Sequence, residues 1–292
     1  MARSRDGLLG GWGLFFAVTI AMCVAVVLKM RTFDMTDPEN VSSMIQLSVR
    51  MSVPWLYLAF AASSLVVVLP SPLSRWMIRN RRYLGLLFAA GMAWQLTFIV
   101  WMVAGYWGYY RDDAYYFWDV AVQIPGYMVL TAMTLTSFWP GRRMLSSRQW
   151  QVLHRTGIYI LWGTVWSTYW YEIFYYDDIQ LVDHVFYWAG FAAWGARIWA
   201  WGRKRAQEKD GGGEKRKALV GLGLVAATMG VVGLVFGSAW APTAWEILEF
   251  FGHWAPLFEL AVPFIPIFLI AFGTTLLVRS KQDPIAAPPE VA

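Results

Sequence analysis

The sequence predicts an all-α integral membrane protein of about eight transmembrane helices with both termini cytoplasmic. Three observations predict it. Hydrophobic residues make up 58% of the 292 and charged residues only 15%, where a soluble domain carries about a quarter charged residues. Apolar runs of about 20 residues, enough to cross a bilayer, recur along the chain. The basic residues collect in alternate loops. With the N-terminus inside, only Lys29, Arg31, Arg50 and Arg111 of the 24 Lys and Arg fall outside, which leaves 20 inside, while 13 of the 19 Asp and Glu fall outside. Such asymmetry in short loops is the positive-inside pattern.

The first span, residues 7–27, follows Arg3 and Arg5. Its apolar run is long and no small-x-small site follows, so it is expected to remain as an uncleaved helix rather than a signal peptide. Further spans are expected at 52–69, 83–106, 124–139, 150–176, 185–201, 218–236 and 257–278, with Pro263 and Pro266 kinking the last. The stretch 203–217, RKRAQEKDGGGEKRK, reads as a flexible, charged cytoplasmic linker. It separates a six-helix portion, 1–202, from an added transmembrane hairpin, 218–278. Gly223, Ala227, Gly230 and Gly233 are spaced to let that hairpin pack closely on itself. Residues 245–254 mix Glu246, Glu249 and His253 with aromatic and apolar side chains, as a short helix on the outer surface would. The tail 279–292 reads as disordered.

Several chemistries are excluded. The single cysteine, Cys23, leaves no partner for a disulfide, thiolate cage or cysteine-held iron–sulfur cluster. No phosphate loop, HExxH helix or Ser-His-Asp order is present, and Gly221 and Gly223 follow no strand, so neither an NAD nor a flavin site is recognisable. The net charge of +5 comes from cytoplasmic loops and does not point to nucleic acid. The environment implied is membrane lipid, and the short loops suit a bacterial inner membrane.

Of three histidines, only His154 is expected inside a span, and a polar side chain there asks for an explanation. His184 and His253 are expected at the outer surface, where a metal site would need a third ligand such as Asp183. Aromatic residues crowd the outer ends of the spans, including Tyr169, Tyr171, Tyr175 and Tyr176. They suit an interfacial belt, and alternatively the lining for a quinone or a docking patch for a periplasmic redox partner.

Two stretches carry a family resemblance. One is 71–96, with Arg81, Arg82, Leu84, Gly85 and Leu86 leading into a helix. The other is 137–162, centred on Trp150, Leu153, His154, Arg155 and Tyr159, and Ala196 and Arg197 accompany them further on. Over about residues 50–200 the chain resembles the ferric reductase-like transmembrane domain, and within it the haem-binding membrane subunit of the bacterial protein-methionine-sulfoxide reductase system. The resemblance implies a bundle that carries electrons across the membrane through b-type haem, with histidines of the third and fifth helices as axial ligands. The sequence keeps His154 but has Gln95 and Ser167 at two expected histidine positions. The implied site is therefore at most one haem b on His154, with Gln95 as a weak second ligand and Arg155 and Arg197 facing the propionates. Two readings stay open: a redox subunit drawing on quinol or a partner, possessing no hydrolytic or nucleotide-binding motif of its own, and a haem-free relative acting as a scaffold or partner-binding protein. On the second, His154 hydrogen-bonds within the bundle.

Overall fold

The computed structural model describes residues 10–114, 117–176, 179–205 and 214–280. The described residues are about 88% helical, and no strand occurs among them. The long helices are α1 (Gly11–Met30), α2 (Pro38–Val68), α3 (Pro72–Gly105), α4 (Phe117–Leu135), α5 (Ser147–Phe174), α6 (Leu181–Arg205), α7 (Glu214–Val235), α8 (Gly237–Glu249) and α9 (Ile265–Arg279). Among the described residues five segments are long and apolar enough to cross a membrane: Gly11–Met30, Pro38–Val68, Pro72–Gly105, Lys217–Val235 and Val262–Arg279. The chain is an all-α, multi-pass membrane protein.

The helices begin where local chemistry starts them, which is often before the apolar run. Asp37 caps α2 by accepting from the Glu39 amide, with Pro38 in the first turn. That places the start of α2 fourteen residues ahead of the expected position 52. Its 31 residues span about 46 Å, well beyond a hydrocarbon core of about 30 Å. Ser71 and Ser74 form a reciprocal capping box at the start of α3. The arginine-bearing stretch expected as a loop is therefore the first turns of a 34-residue helix. In the turn ahead of α2, the Thr36 hydroxyl and amide both donate to Asp34 and hold its carboxyl below the usual carboxylate range.

The C-terminal part differs from expectation in two places. The last span is not one kinked helix. A short helix (Ala255–Glu259) and a 3-10 turn (Val262–Phe264) precede α9, whose first turn takes Pro266. Proline is tolerated there because first-turn amides lack intrahelical partners anyway. The surface helix starts earlier than expected, at Gly237, and a 3-10 turn (Gly252–Trp254) follows it. Helix also runs further into the charged stretch 203–217 than composition suggests, since α6 includes Arg203–Arg205 and α7 opens at Glu214. Residues 206–213 and the tail from 281 lie outside the described residues, as do Arg3, Arg5, Asp177 and Asp178.

Two compact units divide the chain, and they share α5 and α6: one comprises Met1–Trp166 with Val185–Ala193, the other Ser167–His184 with Trp194–Ala292. In the first unit α1, α2 and α3 close on Gly91, where a Cβ would lie 2.5 Å from the Ser52 Cβ and 2.9 Å from the Met22 Cε. Buried Asn80 accepts from the Gly11 amide at 2.8 Å and donates to the Trp76 carbonyl, tying the start of α1 to α3. At the other end Val26, Val41, Met44, Phe98 and Met102 form a buried cluster. A column of parallel rings runs Phe60–Trp162–Trp166–Tyr187, with centroid steps of 5.4, 5.4 and 5.5 Å. Trp162 and Trp166 donate their indole N–H groups to the Gly190 and Tyr187 carbonyls of α6.

The second unit is built on the crossing of α7 and α9. A Cβ on Gly273 would lie 2.5 Å from the Gly223 carbonyl oxygen and 2.6 Å from the Ala227 amide nitrogen, and one on Gly230 would lie 2.6 Å from the Pro266 carbonyl oxygen. The small residues singled out in the sequence thus face α9 of the same chain. Around Trp170 gather Tyr171, Phe174, Trp240 and Trp245, and the Tyr171 hydroxyl donates to the Glu259 carbonyl at 2.8 Å.

Candidate functional site

The site lies at the corner between α4 and α5. Ser146 and Gln149 cap the start of α5 reciprocally: the Gln149 amide donates to the Ser146 hydroxyl oxygen and the Ser146 amide to Gln149 Oε1. Trp150 and His154 then fall four residues apart on one helix face. Their rings pack with centroids 4.3 Å apart, tilted by 30°. Both reach Thr136, just past the end of α4. Trp150 Nε1 donates to its carbonyl at 3.1 Å, and His154 Nε2 lies 3.0 Å from its hydroxyl.

The direction of that last bond is set by the imidazole tautomer. The Thr136 hydroxyl has one hydrogen: given to the Ala132 carbonyl, 2.7 Å away and already accepting from the Thr136 amide, it leaves the hydroxyl oxygen to accept from a protonated Nε2, and given to His154 it makes Nε2 the acceptor. Arg142 covers this arrangement. Its guanidinium lies 5.2 Å from the Trp150 ring and donates to the Leu145 carbonyl and the Ser147 hydroxyl. Arg81, which donates to the Ala59 carbonyl, also adds positive charge toward the His154 ring.

The other expected site residues are placed differently. Gln95, on α3, accepts from the Tyr127 hydroxyl at 2.6 Å. Tyr127 and Thr136, which anchor Gln95 and His154 to α4, are nine residues apart (136 − 127), about 13 Å along a helix. Gln95 and His154 are thus each hydrogen-bonded to a different residue, Tyr127 and Thr136. Arg155 points to the exposed side of α5, and Arg197 belongs to the second unit. Ser167 is partly buried further along α5. Sequence reasoning missed Thr136, Trp150 as a ring partner, and the role of Arg81 and Arg142. The i, i+4 spacing of Trp150 and His154 was the available signal.

No family model, no curated protein and no solved structure matches the chain. Its geometry is what speaks for function.

Elsewhere, Asp183 is buried and works as a cap: its carboxylate accepts from the Gln180 amide at 3.0 Å at the start of α6. His184 beside it is exposed, and the His253 side chain lies outside the described residues. Among the described residues no three His, Cys, Asp or Glu side chains come together as a metal site. Of the outer aromatics, Tyr169 is buried, while Tyr175 and Tyr176 are exposed.

Proposed function

We propose that the chain is a multi-pass protein of the bacterial inner membrane, with eight spans and cytoplasmic termini on the ferric-reductase-like plan. It acts as a haem-free scaffold that binds a membrane or periplasmic partner through its outer aromatic face. One observation carries the reading: the nitrogen of His154 that would meet iron is already engaged by Thr136, with Trp150 packed on the ring. On this reading Gln95, whose side-chain oxygen accepts from Tyr127, is not a second ligand. The exposed Tyr175, Tyr176, Phe250 and Trp254 supply an apolar surface in the second unit of the kind that partners cover.

A reduced-minus-oxidised absorption spectrum of the purified protein tests this. A colourless protein is expected. A Soret band that vanishes in His154→Ala favours the second reading, in which one b-type haem makes the chain a redox subunit fed by quinol or a partner. What supports that second reading is the pair of guanidiniums near His154. On it, His154 would hold the iron while Arg81 and Arg142 faced the propionates, and the haem would supply one-electron transfer.

The eight-span topology has its own test. Besides the five apolar segments, α4, α5 and α6 have 19, 28 and 25 residues and are long enough to cross. In a Cys23→Ala background, an impermeant maleimide applied from outside should label Phe250→Cys in intact cells. It should reach Met144→Cys only after permeabilisation. Both positions are highly exposed, at 89% and 83%. If only the five apolar segments cross, the two results exchange.

A further inference from the structure

The first unit carries a rim of positive charge without counter-charge in its own sequence. Stretches 69–105 and 120–166 contain no Asp, Glu or Lys; their charged residues are all arginine. The two stretches meet at Phe138. The Arg82 guanidinium lies 5.6 Å from the Phe138 ring, 5.6 Å from Trp12 and 5.8 Å from Tyr83, and the Trp12 and Phe138 rings stack 6.1 Å apart. Next to them Arg143 lies over Trp139 at 4.7 Å. Among the described residues none of Arg75, Arg79, Arg82, Arg142, Arg143 or Arg148 pairs with a carboxylate. The same stretches carry exposed apolar side chains, among them Trp139 under Arg143 and, next in sequence, Met144.

We infer that this rim is a binding surface for acidic phospholipid, with Arg82 and Arg143 taking the phosphate and Trp139 and Met144 meeting the glycerol and upper acyl region. Three arguments favour that occupant. Guanidinium offers a planar fork that matches a phosphate's oxygens and sheds water more readily than ammonium does. Arginines already laid on aromatic rings lose less freedom on binding than free ones. The alternation of guanidinium with exposed apolar groups suits the headgroup boundary of a bilayer, where basic pockets take anionic lipid. A soluble acidic polypeptide would instead leave Trp139 and Met144 uncovered.

The test uses the full chain in phosphatidylcholine nanodiscs with and without phosphatidylglycerol, reading retained lipid by native mass spectrometry. Phosphatidylglycerol should be retained selectively. Each arginine removed should weaken retention about fivefold, so Arg82→Gln with Arg143→Gln should weaken it roughly 25-fold. Arg111→Gln, in an exposed pair with Asp112, should change nothing. Where the double variant loses helical circular dichroism, titrating salt on the wild type replaces it, and retention should fall as salt rises. Equal retention of phosphatidylcholine overturns the inference. So does a free inorganic phosphate signal of the same size in plain phosphatidylcholine discs, which would make the site one for the small anion. Polyglutamate binding that is lost in the double variant while lipid retention stays intact would assign the rim to an acidic polypeptide instead.

Discussion

Trp166→Ala should lower the stability of the folded protein by about 3–5 kcal/mol, the range for removing a large buried aromatic. Trp166 is fully buried, sits between the Trp162 and Tyr187 rings, and holds α6 through its indole N–H on the Tyr187 carbonyl. The truncation therefore removes two ring contacts, opens a void and removes the indole hydrogen bond to α6, three losses that point the same way. Gly190 packs directly on the ring, where a Cβ would lie 2.7 Å from it, and glycine has no side chain to swing into the void. Unfolding by SDS titration, followed by circular dichroism, measures the loss. Trp199→Ala, at a position 64% exposed, is the comparison and should shift the midpoint by no more than about 0.5 kcal/mol.

Gly273→Leu should be the most damaging change in the second unit. Overpacking a core costs about 1–3 kcal/mol when side chains can move aside, but the atoms that a Cβ would meet here are the Gly223 carbonyl and the Ala227 amide, which are backbone. The helices themselves must separate. Packing of small residues is the main attraction between helices in lipid, where the hydrophobic effect gives none, so the separation forfeits most of what joins α7 to α9. Spin labels placed on the lipid-facing sides of α7 and α9, at Val225 and Phe272 (both exposed), should report a longer distance in the variant. An unchanged distance would mean that the crossing tolerates the side chain. Gly221→Leu is the control, since nothing lies within 4 Å of a Cβ there.

The apolar runs alone located the membrane-crossing parts of α1, α2, α3, α7 and α9, because twenty consecutive greasy residues have few other places to go. They did not show where α2 and α3 begin. Asp37, Ser71 and Ser74 start those helices in polar sequence through caps, which hydropathy does not register. The aromatic residues of α5 misled in a different way. Tyr169, grouped with the interfacial belt, is buried, and a turn or two earlier the N–H groups of Trp162 and Trp166 find carbonyls on α6 while their rings stack in the interior. Only the tertiary partner decides between those two fates of an amphipathic ring. The candidate site was half legible. His154 stood out as an imidazole within a helix, and a hydrogen bond inside the bundle was one of its two readings. Its partner was not legible, because Thr136 lies eighteen residues away across a turn and threonine carries no sequence signal for such a role. The arginines near His154 come from α3 and from the short helix Trp139–Arg142. Sequence adjacency had suggested Arg155, which the helix turns outward.

The account rests on the His154 imidazole serving a protein hydrogen bond rather than an iron. Solid-state NMR of the protein in membranes from haem-sufficient cells, with nitrogen-labelled histidine and the His154 signal assigned by its loss in His154→Gln, tests this most directly. A diamagnetic imidazole is expected, whose Nε2 resonance moves in Thr136→Val. An Nε2 signal broadened or shifted by a paramagnetic iron, and indifferent to Thr136→Val, would contradict it.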